Sequence, residues 1–249
     1  MQYELPIYVI IFLYGIVIGS FLNVLIYRLP LKENIATESS HCMSCGHKLQ
    51  WYDLVPLVSY MMLGGKCRYC KTKISAQYPV IEAVNGFGYV LIFIMNGFNF
   101  TGILYALCFS MLTAITVIDW RTYEIPLGLN ITILVLGAIH LALDYHNFLY
   151  YLIGMVSVSG FLLLLFIITG GRGIGDIKLM FAAGLLLGWK HIILALVIGC
   201  IIGSIVHLTL MRIKGKGRVL AFGPYLSIGI FTVMLFGSQI LDWYIGLLF

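Results

Sequence analysis

ITVIDWRTYEIP, residues 115–126, ends an apolar run on a lone aspartate. No charged residue precedes Asp119 as far back as Glu82, and Arg121, Glu124 and the Ile125-Pro126 pair follow it closely. A carboxylate is costly in hydrocarbon, so Asp119 either marks the end of a membrane helix or does chemistry there. The same reading extends outward. The chain has 249 residues, of which 61% are hydrophobic and only 10% charged, a composition that excludes an ordinary soluble globular domain and predicts an all-α polytopic membrane protein.

Charges and turn residues cut the sequence into apolar runs near 6–26, 79–96, 102–118, 127–143, 149–169, 177–189, 191–211 and 220–241. These are about eight transmembrane helices, the sixth being short for a bilayer core of about 30 Å. The first run is preceded by MQYELP, which lacks the basic segment of a secretory signal, and it is long enough to span, so it is expected to stay in the mature chain. With the N-terminus outside, 27–78, 119–126, 170–178 and 212–219 face the cytosol. Fourteen of the fifteen Lys and Arg residues then lie on that side, and only Lys190 falls outside. That agreement with the positive-inside rule supports keeping the short sixth helix. The formal net charge of +5 belongs to this lipid-facing topology and does not point to nucleic acid. The expected organisation is a first transmembrane helix in 1–26, a polar cytoplasmic insert in 27–78 and a transmembrane helical core in 79–249.

The insert contains HCMSCGHKLQ and GKCRYCKTKIS, whose cysteines read Cys42-x2-Cys45-x21-Cys67-x2-Cys70. Four thiolates at this spacing can surround one tetrahedral Zn²⁺. Two disulfides are the rival in an oxidising compartment, but a cytosolic insert argues against them. A thiol redox pair is the other alternative. His41 and His47 flank the first knuckle and read as polar loop residues. Closed coordination by four cysteines leaves no position for a reactive water, so the zinc is expected to be structural, stabilising a segment with too little core of its own. Cys108 and Cys200 stand alone in apolar runs and read as small hydrophobes.

Most of the ten acids fall in loops or at helix ends: Glu4, Glu33, Glu38, Asp53, Glu124, Asp144 and Asp242. Glu82, at the start of the second helix, suits the positive end of the helix dipole. Asp119 and Asp176 are different. The first ends the third predicted helix, the second begins the sixth within GGRGIGDIK, and helix parity delivers both to the cytoplasmic face. Gly170, Gly171, Gly173 and Gly175 leave the backbone there open to close approach. Two carboxylates within hydrogen-bonding distance share a proton, one activating water while the other polarises a carbonyl. The alternatives are two helix-end markers, or a proton or cation site in a transporter, although a transporter site is expected nearer the midplane.

The chain resembles a known family at several motifs in order: SFLNVLIYRLP (20–30), the double CxxC, GGKCRYCKTKISAQYPVIEAVNG (64–86), IDWRTYEIP (118–126), GIGDIKLMFAAGLLLG (173–188) and the glycine-proline of AFGPYL (221–226). These are similar to the type IV prepilin peptidases, bacterial membrane aspartyl peptidases of the GxGD type. The resemblance implies cleavage of a basic leader from prepilins and pseudopilins after a glycine at the cytoplasmic face, with Asp119 and Asp176 as the catalytic pair and Cys42, Cys45, Cys67 and Cys70 as the cysteine tetrad. Bifunctional members of the family retain such an insert and methylate the new N-terminus with S-adenosylmethionine. For that donor the one candidate contact is Gly65, and no GxGxxG fingerprint is present. The sequence departs from the family pattern at Leu127, where an acid or asparagine is common, and at Trp120. Asn23, Arg28 and Glu82 sit in family-like motifs as orienting, folding or substrate-contact residues.

Overall fold

A computed structural model describes residues 5–35, 40–170, 173–214 and 221–248. Glu4, Glu38, Gly171, Arg172, Lys216 and Arg218 lie outside them, as does the side chain of Lys214. Among the described residues no strand forms; two isolated antiparallel bridges lie in the insert. The helices are α1 (Leu5–Leu31), a short α2 (Val58–Met62), α3 (Gln77–Asn96), α4 (Phe100–Thr122), α5 (Leu127–Leu143), α6 (Phe148–Thr169), α7 (Ile174–Leu187), α8 (Trp189–Lys214) and α9 (Gly223–Leu248). Apart from α2, these are the eight apolar runs of the sequence.

Six of them, α1, α3, α4, α6, α8 and α9, are long and apolar enough to cross a membrane, and α5 is a shorter apolar helix. With 14 residues, α7 extends only about 21 Å at the usual rise per residue. Packing explains how so short a helix persists. Leu179, Met180 and every residue from Ala182 to Leu187 are buried between α5, α6, α8 and α9, so the C-terminal half of α7 is enclosed by protein, while Ile174 and Phe181 stay exposed.

The chain divides into two compact units, 1–94 and 95–249. In the first, α1 and α3 meet through small residues. A Cβ on Gly15 would stand 2.7 Å from the Gly86 Cα, and one on Gly19 would stand 2.8 Å from the Glu82 Cα. Gly15 and Gly19 are four apart and share a helix face, the close-packing device common in membrane helices. The Asn85 side-chain amide donates to the Gly15 carbonyl at 2.8 Å, and that of Asn23 donates to the Tyr78 carbonyl at 3.2 Å. These bonds are worth making in an apolar setting because no water replaces them.

The second unit uses the same device. Gly154 of α6 lies directly against Gly184 of α7, and Gly229 of α9 against Ala195 of α8, with no room for a Cβ at either contact. At one end of this unit His140 Nδ1 lies 3.0 Å from the Leu186 carbonyl, and Tyr150 hydroxyl 2.7 Å from His191 Nδ1, tying α5 to α7 and α6 to α8. The opposite end carries the aspartates.

Candidate functional site

The sequence that ends α4 determines where Asp119 points. Tyr123 adopts a left-handed conformation, with φ 57°, and its N–H donates to the Asp119 carbonyl. Pro126 then immediately precedes α5. The helix therefore stops one turn after the aspartate, whose side chain remains buried at 5% exposure. Its Oδ2 accepts the backbone N–H of Gly223 at 2.9 Å. Gly223 opens α9, where backbone N–H groups lack helical partners and the helix dipole favours negative charge. Pro224 follows as a residue suited to the first turn.

Glycine is required at 223 by space: a Cβ there would stand 2.8 Å from Asp119 Oδ2. In the sequence AFGPYL is legible only as a further match to a family pattern. Its role as the partner of Asp119 has no along-chain signal beyond glycine-proline at a helix start.

Asp176 lies in the first turn of α7, half-buried, and within electrostatic reach of Asp119. Gly175 explains how the two segments approach. A Cβ on it would stand 3.2 Å from the Ile125 side chain, so the glycine of GIGD packs against the isoleucine of YEIP. The two sequence-predicted aspartates are thus brought together at one end of the second unit, on helices joined by packing through their own motifs. Two carboxyl groups within hydrogen-bonding reach of one water can divide the roles of base and acid between them. Leu127 and Trp120, where the motif departs from the family pattern, are both exposed.

In the first unit all four insert cysteines are free thiols, and their Sγ atoms lie within 4.8 Å of one another. Two equivalent knuckles build the cluster. Cys42 N–H donates to the His47 carbonyl and Gly46 N–H to the Cys42 carbonyl; Cys67 N–H donates to the Thr72 carbonyl and Lys71 N–H to the Cys67 carbonyl. Antiparallel bridges His41–Lys48 and Lys66–Lys73 close each knuckle at matching positions, and the residue after the second cysteine has positive φ in both, Gly46 and Lys71.

The donor set fits zinc. A tetrahedral ion with bonds of about 2.3 Å requires sulfurs about 3.8 Å apart, and Cys42 and Cys70 are separated by 3.8 Å. The Thr72 hydroxyl and backbone N–H hold the Cys70 thiol down to about 6, and the backbone N–H groups of Cys45 and Ser44 lower that of Cys42, which favours the thiolate at these two, while burial and its thiol neighbours push Cys45 up to about 11. Asp53 ties the 3-10 turn Trp51–Asp53 to the second knuckle by an ion pair with Arg68 at 2.7 Å.

The remaining residues singled out by sequence have structural duties here. Arg28, buried, donates to the Asn34 and Ile35 carbonyls at 3.3 and 3.2 Å and shapes the exit from α1. Gly65 has φ +67°, and a Cβ on it would meet the Tyr60 hydroxyl at 2.9 Å. Glu82 departs from the dipole expectation: the first turn of α3 holds no acid, and Glu82 is instead buried with Oε2 accepting the Leu57 N–H at 2.8 Å. It anchors the insert to α3.

Comparison with known proteins matches residues 13–96 to the bacterial peptidase A24 N-terminal domain and residues 106–208 to the type IV leader peptidase family. The second match contains both aspartates. Among curated relatives, a prepilin leader peptidase/N-methyltransferase of Aeromonas salmonicida is 30% identical over 95% of this chain and 93% of its own length. One from Pseudomonas aeruginosa is 31% identical over 94% and 91%, and one from Legionella pneumophila 28% identical over 99% and 97%. No solved structure gives a significant match.

Proposed function

The chain belongs to the type IV leader peptidase family, and from that membership and the meeting of its helix ends we propose that Asp119 and Asp176 are the catalytic pair of a membrane aspartyl endopeptidase. It removes the leader of prepilins or pseudopilins after a glycine and methylates the new N-terminal amine. The observation that carries this reading is the buried Asp119 carboxylate, held by the Gly223 N–H with Asp176 in electrostatic reach.

Its chemistry follows from the two environments. Asp119 already accepts an N–H at the start of a helix, a setting that suits a carboxylate, so Asp119 takes the proton of the attacking water. Asp176, half-buried beside it, donates its carboxyl hydrogen to the scissile carbonyl. The water oxygen bonds to the carbonyl carbon to give a gem-diol; as the C–N bond breaks, the leaving amine takes the proton collected by Asp119 and a gem-diol hydroxyl returns its proton to Asp176, leaving a carboxylic acid and the pair in its starting state. No metal is required for these steps.

The protein is a multi-pass membrane protein. We place its N-terminus outside, and the insert and aspartates at the cytoplasmic face, because that assignment puts fourteen of fifteen basic residues on one side. A prepilin, with a basic leader ahead of an apolar helix, then presents its scissile bond at the depth of the aspartates. Residues 27–78 form the metal-binding insert between the first span and the peptidase core of 79–249, and Cys42, Cys45, Cys67 and Cys70 would hold Zn²⁺ as a structural ion. S-adenosylmethionine would supply the methyl group. Gly65, offered by sequence as a donor contact, is engaged in the turn against Tyr60, and we assign the donor pocket no side chain.

The test uses the full chain purified in detergent with a prepilin, read by mass spectrometry for leader loss and a methyl increment. Asp119→Asn and Asp176→Asn should each reduce cleavage to background. Near-parental cleavage by either variant would sink the dyad.

A further inference from the structure

A groove of about 420 Å³ runs between α5, α6 and α7. Its walls include Leu127 and Ile131 of α5, Ser159 of α6, and Ile177 and Lys178 of α7, the two residues that directly follow Asp176. Asn130 also lines it. This asparagine lies in the first turn of α5, joined to the Asp119 end of α4 by the short 123–126 connection, so it belongs to the same end of the unit as the aspartates.

Asn130 is 3% exposed, and neither its Oδ1 nor its Nδ2 has a hydrogen-bond partner among the described residues. A buried amide without partners is destabilising, and native proteins rarely retain one without a use. The other polar wall residue at this depth, Ser159, is already satisfied, its hydroxyl donating to the Met155 carbonyl.

We infer that Asn130 is a substrate-binding residue, whose amide pairs with the backbone of a prepilin helix where that helix unwinds to be cut; the inference rests on the peptidase reading above. The requirement comes from the medium. A helical peptide bond is shielded by its own hydrogen bonds, and opening it in an apolar groove leaves an N–H and a C=O that water does not reach. A carboxamide offers one acceptor and two donors on a single side chain, so Asn130 can meet both freed groups at once. The apolar groove walls receive the side chains of the same helix segment, and the groove's lining by Ile177 and Lys178 puts it at the end of α7 that carries Asp176.

The experiment compares Asn130→Leu, which keeps the branching at Cγ without polar atoms, Asn130→Gln and Asn130→Ala with the parent, as full chains in detergent cutting a full-length prepilin. Removing one hydrogen-bonding partner of an otherwise unpaired substrate group is expected to lower kcat/KM about tenfold or more. Asn130→Leu should do so while leaving the melting temperature equal or higher, because it removes an unpaired buried amide. Asn130→Gln, which keeps the carboxamide, should retain more activity than Asn130→Leu. Cleavage by Asn130→Leu within twofold of the parent overturns the assignment. So does a fall in melting temperature that tracks the loss of activity in both Asn130→Leu and Asn130→Ala, since the amide would then serve the fold itself. A parent that leaves the prepilin intact defeats the peptidase reading, and this assignment with it, whereas a parent that cuts and an Asp176→Asn that does not isolate the result to Asn130.

Discussion

Gly223 N–H donates to Asp119 Oδ2 across 104 residues of chain at 2.9 Å, so the carboxylate that ends α4 is held by the first turn of α9. One glycine thereby sets the orientation of a catalytic candidate from outside the segment matched to the peptidase family model, 106–208.

Gly223→Ala tests that relationship. The added carbon would stand 2.8 Å from Asp119 Oδ2 and 3.1 Å from its Cγ, so the carboxylate must move. Displacing a reacting group by as much as 1 Å can cost on the order of 100-fold in rate, and we expect a loss of that order in kcat with prepilin. Gly128→Ala is the comparison, because nothing lies within 4 Å of the carbon it adds; its rate should match the parent. Equal rates for the two variants would show that Gly223 does not position Asp119.

Glu82 gives a prediction about stability instead of rate. Its carboxylate accepts the N–H of Leu57, and Leu57 is held at a positive φ of 61° at the start of α2. Glu82→Ala leaves that N–H unpaired and should destabilise the insert by about 1–3 kcal/mol. Glu82→Gln keeps an acceptor oxygen and should cost less. Limited proteolysis within 40–75 measures the difference, and equal digestion of parent and Glu82→Ala would mean that the bond does not secure the insert.

The metal prediction rests on the sulfur geometry. Elemental analysis of the purified chain should find about one zinc per molecule, and Cys67→Ser, which replaces the buried ligand, should reduce it sharply. A strong chelator should open the insert to trypsin at Lys66, Arg68, Lys71 and Lys73, and zinc added back should restore protection, because a segment this small has little core without its ion. A metal-free chain whose four cysteines cycle between thiol and disulfide would support a redox role instead.

Much of this architecture is legible along the chain because membrane helices and cysteine knuckles are local patterns. Apolar runs located the eight long helices, and the spacing of Cys42, Cys45, Cys67 and Cys70 anticipated the cluster. Charge parity delivered Asp119 and Asp176 to one end without any knowledge of packing. The partners of buried polar groups were not legible. Nothing near Asp119 names Gly223, nothing near Glu82 names Leu57, and an asparagine at position 130 looks like any polar residue in a first turn. Such pairings depend on how helices pack, which periodicity does not encode. The shortness of α7 has a related explanation: the bilayer criterion assumes lipid around a helix, whereas the C-terminal half of α7 is buried against protein.

The contact between Gly175 and Ile125 joins the two aspartate motifs and yields a prediction for a paired substitution. A Cβ on Gly175 would stand 3.2 Å from both Cβ and Cγ1 of Ile125, closer than ordinary packing, so a larger side chain there must push the two segments apart. Gly175→Val should therefore lower cleavage strongly, and the double variant Gly175→Val with Ile125→Ala should recover part of the loss, because the smaller partner returns the space. Residues in direct contact typically couple by about 0.5–3 kcal/mol, equivalent to a rate difference of roughly 2- to 150-fold. The cycle is read from kcat/KM of the parent, both single variants and the double variant on one prepilin. Additive losses would show that the glycine of GIGD acts through its backbone freedom alone, and that packing against Ile125 does not set the separation of the aspartates.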